Sequence, residues 1–417
     1  MGRGQINVDS MRRIDRMVGV PLCALATFFL SIWWWLRRKS PRPMRKILFV
    51  ELSEMGSVIL ADPAMRKARE LMGGEIYFVI FAQQAGSLEI TGTIARSNVF
   101  VIEASSLWRL ALDTLAFLRW TRRNGIDTVI DLELFSRYTA LLAGLCGADR
   151  RVGFYRFHNE GLYRGEMLTH RVSYNPHIHI AKNFIALVDA LLRGAPVPSY
   201  PKTIIGDEEL KVSTRPASPM ALDRVTAEIR ALAPNYANTR QRLVLINPNA
   251  SDMLPQRRWM AERYAELIRH ILDEGSDRLV LLTGASSERS EVERLAKACG
   301  SDRCIAFAGR TLLTDLPALY ALADVMVSND SGPAHFAAAS GLPTIVLFGP
   351  ETPNLYQPLG NSKVIYAGLA CSPCVSAGNH RKTACTDNVC MRAIGVDQVL
   401  AAVNQVLTPA LRKAATA

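Results

Sequence analysis

A chain of 417 residues with 49% hydrophobic and 21% charged residues is too long for one ordinary core and too apolar for a disordered segment, so two domains are expected. Its formal net charge of +11 does not mark a nucleic-acid binder, because residues 1–46 carry +8 of it and leave only +3 for the rest of the chain. No nucleic acid is therefore expected as a partner, and the basic N-terminal region suits anionic lipid headgroups instead.

The first predicted element is an apolar helix over residues 17–36, M-V-G-V-P-L-C-A-L-A-T-F-F-L-S-I-W-W-W-L, without a charge. As a helix it is roughly 30 Å long, about one bilayer core. Three tryptophans followed by Arg37-Arg38-Lys39 form an aromatic belt and a basic stop, with no small-residue cleavage site. A transmembrane anchor is expected rather than a cleaved signal peptide. The flanking charge is +2 before this stretch and +6 after it. The positive-inside rule then gives a single-pass protein of the inner (cytoplasmic) membrane with its body in the cytoplasm.

A proline-broken linker, S-P-R-P-M at 40–44, leads into apolar runs at 47–50, 76–81, 99–102 and 128–132, interleaved with helical patterns such as 61–72 and 107–123. Continuous apolar strands are buried on both faces, which predicts a parallel sheet between helices. At the end of T-V-I-D-L the acids Asp131 and Glu133, with Arg137 behind them, fall where an open α/β sheet binds ligands, and they suit an acceptor sugar or its phosphates as well as a buried ion pair.

A second series begins after a polar stretch at 206–240, with strands at 243–248, 279–284, 304–309, 324–330 and 343–349, several ending in Gly, Asn or Asp. Two Rossmann-like domains facing a cleft are expected, with boundaries at 45–205 for the first and 241–395 for the second. Residues 1–44 form the tail, anchor and basic linker, 206–240 the connection, and 396–417 a C-terminal helix and tail. Within the second domain, N-D-S-G-P-A-H at 329–335 reads as a tight turn feeding a helix with Pro333 at its first position. Free amides and the helix dipole there suit a diphosphate, with Asp330, Ser331, Gly332 and His335 around it. An ordinary strand-turn-helix connection with a buried His335 fits the same residues.

The longer run S-N-D-S-G-P-A-H-F-A-A-A-S-G-L-P-T-I-V-L-F-G-P-E-T-P-N-L-Y-Q-P-L-G, residues 328–360, resembles the signature of glycosyltransferase family 9, the ADP-heptose:lipopolysaccharide heptosyltransferases. The likeness extends over most of 45–395, through K-I-L-F-V-E-L-S-E-M-G-S-V, V-I-D-L-E-L-F-S-R, R-V-G-F-Y and R-R-W. It implies a GT-B fold and inverting transfer, with no cofactor, from a nucleotide sugar such as ADP-heptose to a lipid-linked saccharide. It also implies that Arg257, two before Trp259, meets the donor phosphates, and that Glu288 meets the ribose. A solvated helix-start arginine and a surface glutamate remain the plainer readings.

The chain departs from the family at one point. Where relatives end the first loop in Gly-Asp-Val and carry the expected general base, this sequence reads Gly56-Ser57-Val58. A serine has no useful basicity near neutral pH, and a positioned base is typically worth ~10² to 10⁴-fold in rate. Glu54, on the same loop, is the expected substitute, and Asp62 the second choice. The loss leaves room for another nucleotide-sugar donor or for an inactive donor- or glycan-binding scaffold. Finally, Cys371, Cys374, Cys385 and Cys390 form C-S-P-C-x10-C-x4-C, a pattern that could close a structural zinc site or remain as reduced thiols.

Overall fold

The computed structural model of the chain describes residues 8–37, 40–52, 55–156, 162–193, 201–237, 241–251, 254–376, 379 and 381–408. They fall into two compact units, Met1–Ser213 and Thr214–Ala417.

The first unit runs α1 (Val8–Arg37), β1 (Lys46–Val50), α2 (Met55–Met72), β2 (Glu75–Phe81), α3 (Leu88–Thr91), β3 (Val99–Ile102), α4 (Leu107–Asn124), β4 (Thr128–Asp131), α5 (Arg137–Leu145), β5 (Arg150–Phe154), β6 (His170–Val172) and α6 (Ile180–Leu192). Its six strands are parallel in the order β3-β2-β1-β4-β5-β6. Strand β1 shows why the sheet must be covered twice. Ile47, Leu48, Phe49 and Val50 are all fully buried although neighbours point to opposite faces. Phe117 of α4 and Leu142 of α5 share one core with Leu48, Val50 and Val79, so both helices cover the same face. Helix α4 begins where the Ser106 side chain accepts the Arg109 N–H, and it ends at Gly125, whose φ of 67° is left-handed and cheap only for glycine.

The second unit runs α7 (Pro219–Leu232), β7 (Arg242–Asn247), α8 (Ala261–Asp273), β8 (Arg278–Leu282), α9 (Arg289–Cys299), β9 (Cys304–Ala306), α10 (Leu316–Leu322), β10 (Val325–Asn329), α11 (Gly332–Ala339), β11 (Thr344–Phe348), α12 (Pro353–Tyr356), β12 (Ser362–Tyr366), α13 (Val389–Arg392) and α14 (Val396–Leu407). Its sheet is again parallel, ordered β12-β11-β10-β7-β8-β9. Val399, Val403 and Leu407 of α14 complete the core shared by β7, β8 and α8. The stretch 206–240, expected as a plain connection, carries a 3-10 turn at Asp207–Leu210 and the whole of α7. Ser218 caps that helix, Pro219 opens it, and Val225 and Ile229 bury its inner face.

Helix α1 is long and apolar enough to cross a membrane over Arg13–Leu36, yet it does not stand clear of the body. The Asp15 carboxylate accepts the N–H groups of Arg137 (2.9 Å) and Tyr138 (3.1 Å) at the start of α5 and pairs with the Arg137 guanidinium at 3.0 Å. Gly19 lies under Arg137, Cys23 is fully buried, and Thr27 Oγ1 accepts the Glu166 N–H at 3.0 Å. The Arg151 guanidinium stacks 3.8 Å over the Trp34 ring.

Candidate functional site

Both sheets reverse their strand order once, between β1 and β4 in the first unit and between β7 and β10 in the second. Crevices beyond the carboxyl ends of such paired strands are where open α/β sheets bind ligands.

In the second unit that point gathers Asn247-Pro248-Asn249 after β7 and Asp330-Ser331-Gly332 after β10. Asn329, fully buried, holds the two exits together. Its amide donates to the Pro248 carbonyl (2.8 Å), while its oxygen accepts the Trp259 N–H and the Tyr264 hydroxyl, each at 3.0 Å. No side-chain hydrogen bond caps Ser331 at the start of α11, and Pro333 sits at the helix opening. Asp330 and His335 are 4% and 6% exposed. The segment from Pro255 to Arg257 brings Arg257 within 3.5 Å of Asp330. Two buried donors here, Arg257 Nε and the Asn249 side-chain amide, have no hydrogen-bond partner. Buried polar groups are otherwise almost always paired, so these two donors stand out.

Arg258 proves to be structural, with its guanidinium donating to the Ala250 carbonyl at 2.6 and 2.9 Å. Glu288 folds back on its own turn, accepting the Ala285 N–H at 2.6 Å at the end of the β8 exit.

One participant escaped the sequence reading. Glu351, just past β11, is 3% exposed and faces Arg381 at 3.7 Å, whose guanidinium also lies 4.9 Å from the Tyr356 ring centre. Burial pushes the Glu351 carboxyl up to about 7; Arg381 opposes this, Asp330 adds to it, and the Thr352 N–H and Arg257 oppose it further. Only the spatial convergence of β10, β11 and the cysteine-bearing segment makes this group visible.

That segment is laid on the site by hydrogen bonds. Cys374 and Val375 donate their N–H groups to the Pro350 carbonyl, at 2.9 and 3.1 Å, and Gln256 donates to the Cys385 carbonyl at 3.3 Å. Cys371, Cys374, Cys385 and Cys390 are free thiols. Among the described residues no group of three or more His, Cys, Asp or Glu is placed to hold a metal ion.

In the first unit the β1 and β4 exits bring Asp131 and Glu133 close to Leu52, whose N–H donates to Glu133 at 3.3 Å. Asp131 is bonded to Arg164, Thr139 and the Glu133 N–H. Its carboxyl is pushed up to about 6, burial outweighing the Arg164 charge. Arg137 pairs with Asp15 at 3.0 Å and donates to the Tyr163 carbonyl at 2.9 Å. Arg137 is therefore a buried fastening between α5 and α1. Asp62 is likewise engaged. It is fully buried, accepts the Ser213 N–H at 2.8 Å and binds Thr93 and Arg66, which makes it an anchor for the chain leaving the unit rather than a reachable base. Ser57 lies in the first turn of α2, 8% exposed, and Glu54 lies outside the described residues. A further carboxylate, Glu51, lies 4% exposed at the β1 exit.

A family model described as glycosyltransferase family 9 (heptosyltransferase) matches residues 114–384. Lipopolysaccharide heptosyltransferase 2 of Escherichia coli (strain K12) is 34% identical over 110 residues, which is 26% of this chain and 31% of that protein. Lipooligosaccharide heptosyltransferase 2 of Haemophilus influenzae is 32% identical over 114 residues, 27% of this chain and 32% of its own. The chain thus spans about a third of the length of the curated relatives it matches. Among solved structures, a glycosyl transferase family 9 protein from Veillonella parvula superposes with a TM-score of 0.68 at 20% identity, covering 89% of this chain and 99% of that one. The E. coli ADP-heptose lps heptosyltransferase II gives 0.65 at 20% identity, covering 87% and 98%. At that identity the likeness establishes the fold, the GT-B pair of Rossmann-like units.

Proposed function

Since the chain belongs to glycosyltransferase family 9, we propose that it transfers a sugar, most simply heptose from ADP-heptose, onto a lipopolysaccharide core or related glycolipid. The reaction is direct displacement at the anomeric carbon with inversion, at the cytoplasmic face of the inner membrane, and no cofactor takes part. The observation that carries this reading is the site between β7 and β10, where uncapped amides at the start of α11 meet the Arg257 Nε and the Asn249 side-chain amide, two buried donors without a hydrogen-bond partner.

The departing nucleoside diphosphate gains negative charge as the glycosidic bond breaks. Arg257, the Asn249 amide and the N–H groups of Ser331 and Gly332 supply fixed positive potential to it, and His335 a ring donor. They are in place before the reaction, so little reorganisation is required as the charge develops. Glu288, at the β8 exit, is assigned to the ribose hydroxyls, which it reaches by releasing the Ala285 N–H. On the acceptor side Asp131 and Glu133 shape the β1–β4 point. The proton of the attacking hydroxyl passes to a carboxylate of the β1–α2 loop, Glu54 by preference, since Ser57 cannot take it and Asp62 is engaged.

A second reading, an inactive donor-binding scaffold, is favoured by Ser57 alone. Release of nucleoside diphosphate from ADP-heptose, measured with and without a heptose-deficient lipopolysaccharide acceptor, separates the two. Acceptor-dependent release is expected. Donor binding without release would establish the scaffold, and no binding of any sugar nucleotide would remove both readings.

A further inference from the structure

Helix α1 cannot keep its packing and also cross a bilayer. From Asp15 to Trp34 the helix advances roughly 28 Å at ~1.5 Å per residue, close to the ~30 Å of a hydrocarbon core. Along that whole length one face is fastened to the first unit. Asp15 binds the start of α5, and Gly19 lets the helices approach so closely that a Cβ there would stand 2.8 Å from the Arg137 Cβ. Cys23 packs with Ala140 and Met167, Thr27 holds Glu166, and Trp34 carries Arg151. A spanning α1 with these contacts intact would draw Arg137, Arg151, Arg164 and the irregular backbone at 162–167 to hydrocarbon depth. Charges and open backbone are expensive there and occur only where protein or water covers them.

The opposite face of α1 is apolar and uncovered. Met17, Leu25, Phe28, Phe29, Trp35 and Leu36 are each more than half exposed. Helix α4, tied to α5 through Thr114 and Tyr138 at 2.7 Å, covers the same sheet face as α5 and exposes its own Leu107, Trp108 and Leu115.

What covers this surface is indicated by charge. Arg13 and Arg16 are exposed at one end of the apolar stripe, and Arg37-Arg38-Lys39 follow at the other. A spanning helix would strand one of these basic clusters on the far side, against the positive-inside tendency, whereas a helix lying flat sets both at the level of anionic headgroups.

We propose that α1 lies in the plane of the membrane, docked on its own unit, and seats that unit on an anionic lipid surface through the exposed face of α1, with the N-terminus on the same side as the body. The apolar stripe enters the headgroup and upper acyl region while the Asp15, Gly19, Cys23 and Thr27 face stays on protein. This inference stands on the packing of α1 and does not depend on which sugar is moved.

The test is protease access to the full-length chain tagged at both ends, in inverted inner-membrane vesicles whose cytoplasmic face is outward. The expected result is that the protein sediments with the vesicles and both tags are removed without detergent. An N-terminal tag that survives until detergent is added would show a spanning helix and overturn the proposal, and so would a protein found in the soluble fraction. As a second arm, Gly19→Leu is expected to lower the Tm of the detergent-purified chain by several degrees, because the added side chain meets Arg137. An unchanged Tm would mean that α1 is not docked, which also overturns it.

Discussion

Removing the Glu351 charge should stabilise the protein, and should do so increasingly as pH rises. Glu351 is buried beside Asp330, and its carboxyl is pushed up to about 7 from the ordinary 4.5 of a glutamate even with Arg381 opposite. Between those two pH values the folded chain keeps a proton that the unfolded chain has released. Stability therefore falls as pH climbs, by up to ~1.4 kcal/mol per unit. Above pH 7 the full cost is about 3 kcal/mol, a burden present only when the carboxyl is charged. Glu351→Gln keeps the shape and cannot ionise, so its advantage over the parent should be small at pH 4.5, grow through pH 6 and level off near 3 kcal/mol at pH 8. Urea unfolding of both proteins in mild detergent, followed at pH 5, 6, 7 and 8, measures the difference. Parallel pH dependences for the two proteins would refute the reasoning, since they would mean that Glu351 is ionised in the fold at no cost.

The remaining expectations concern the two ligand points. Arg257→Ala should weaken ADP binding roughly tenfold to a hundredfold by calorimetry, the loss of one charge-assisted contact, and leave the acceptor KM unchanged. Glu54→Gln should abolish transfer with donor affinity within a few-fold; if turnover persists, Glu51→Gln is the next variant to assay, because that carboxylate lies buried at the same strand exit. Arg164→Ala should destabilise the first unit by ~3 kcal/mol at pH 7 by leaving Asp131 without its cation, and by less at pH 5, where the Asp131 carboxyl takes up a proton instead. Thermal unfolding at the two pH values checks the pair.

The alternation of doubly buried strands with helices and the turn after β10 were legible because each is local. An unbroken apolar run such as K-I-L-F-V has no polar side to expose, and D-S-G-P can only turn and start a helix. Arg257 could be singled out by its distance from Trp259, but its partner Asp330 lies at the exit of the neighbouring strand β10, far along the chain, and nothing in the order of residues says that they meet. Asp62 and Arg137 show the same limit in reverse. Acidic and basic residues near a strand exit look alike whether they face a ligand or tie down a distant segment, here Ser213 for one and Asp15 for the other. Glu351 carried no signal, since its raised carboxyl is the product of burial among groups from β10, β11 and the segment after Cys374.

The sequence by itself determined that this protein has two parallel α/β units, that a helix start in the second suits a diphosphate, and that an apolar basic-flanked helix precedes them, because hydrophobic period and turn chemistry act between near neighbours in the chain. Only the tertiary structure decided which charges are paired, which donors are left for a ligand, and that α1 lies along α5. Those outcomes depend on burial and on contacts between residues more than a hundred positions apart, such as Asp15 with Arg137 at 3.0 Å.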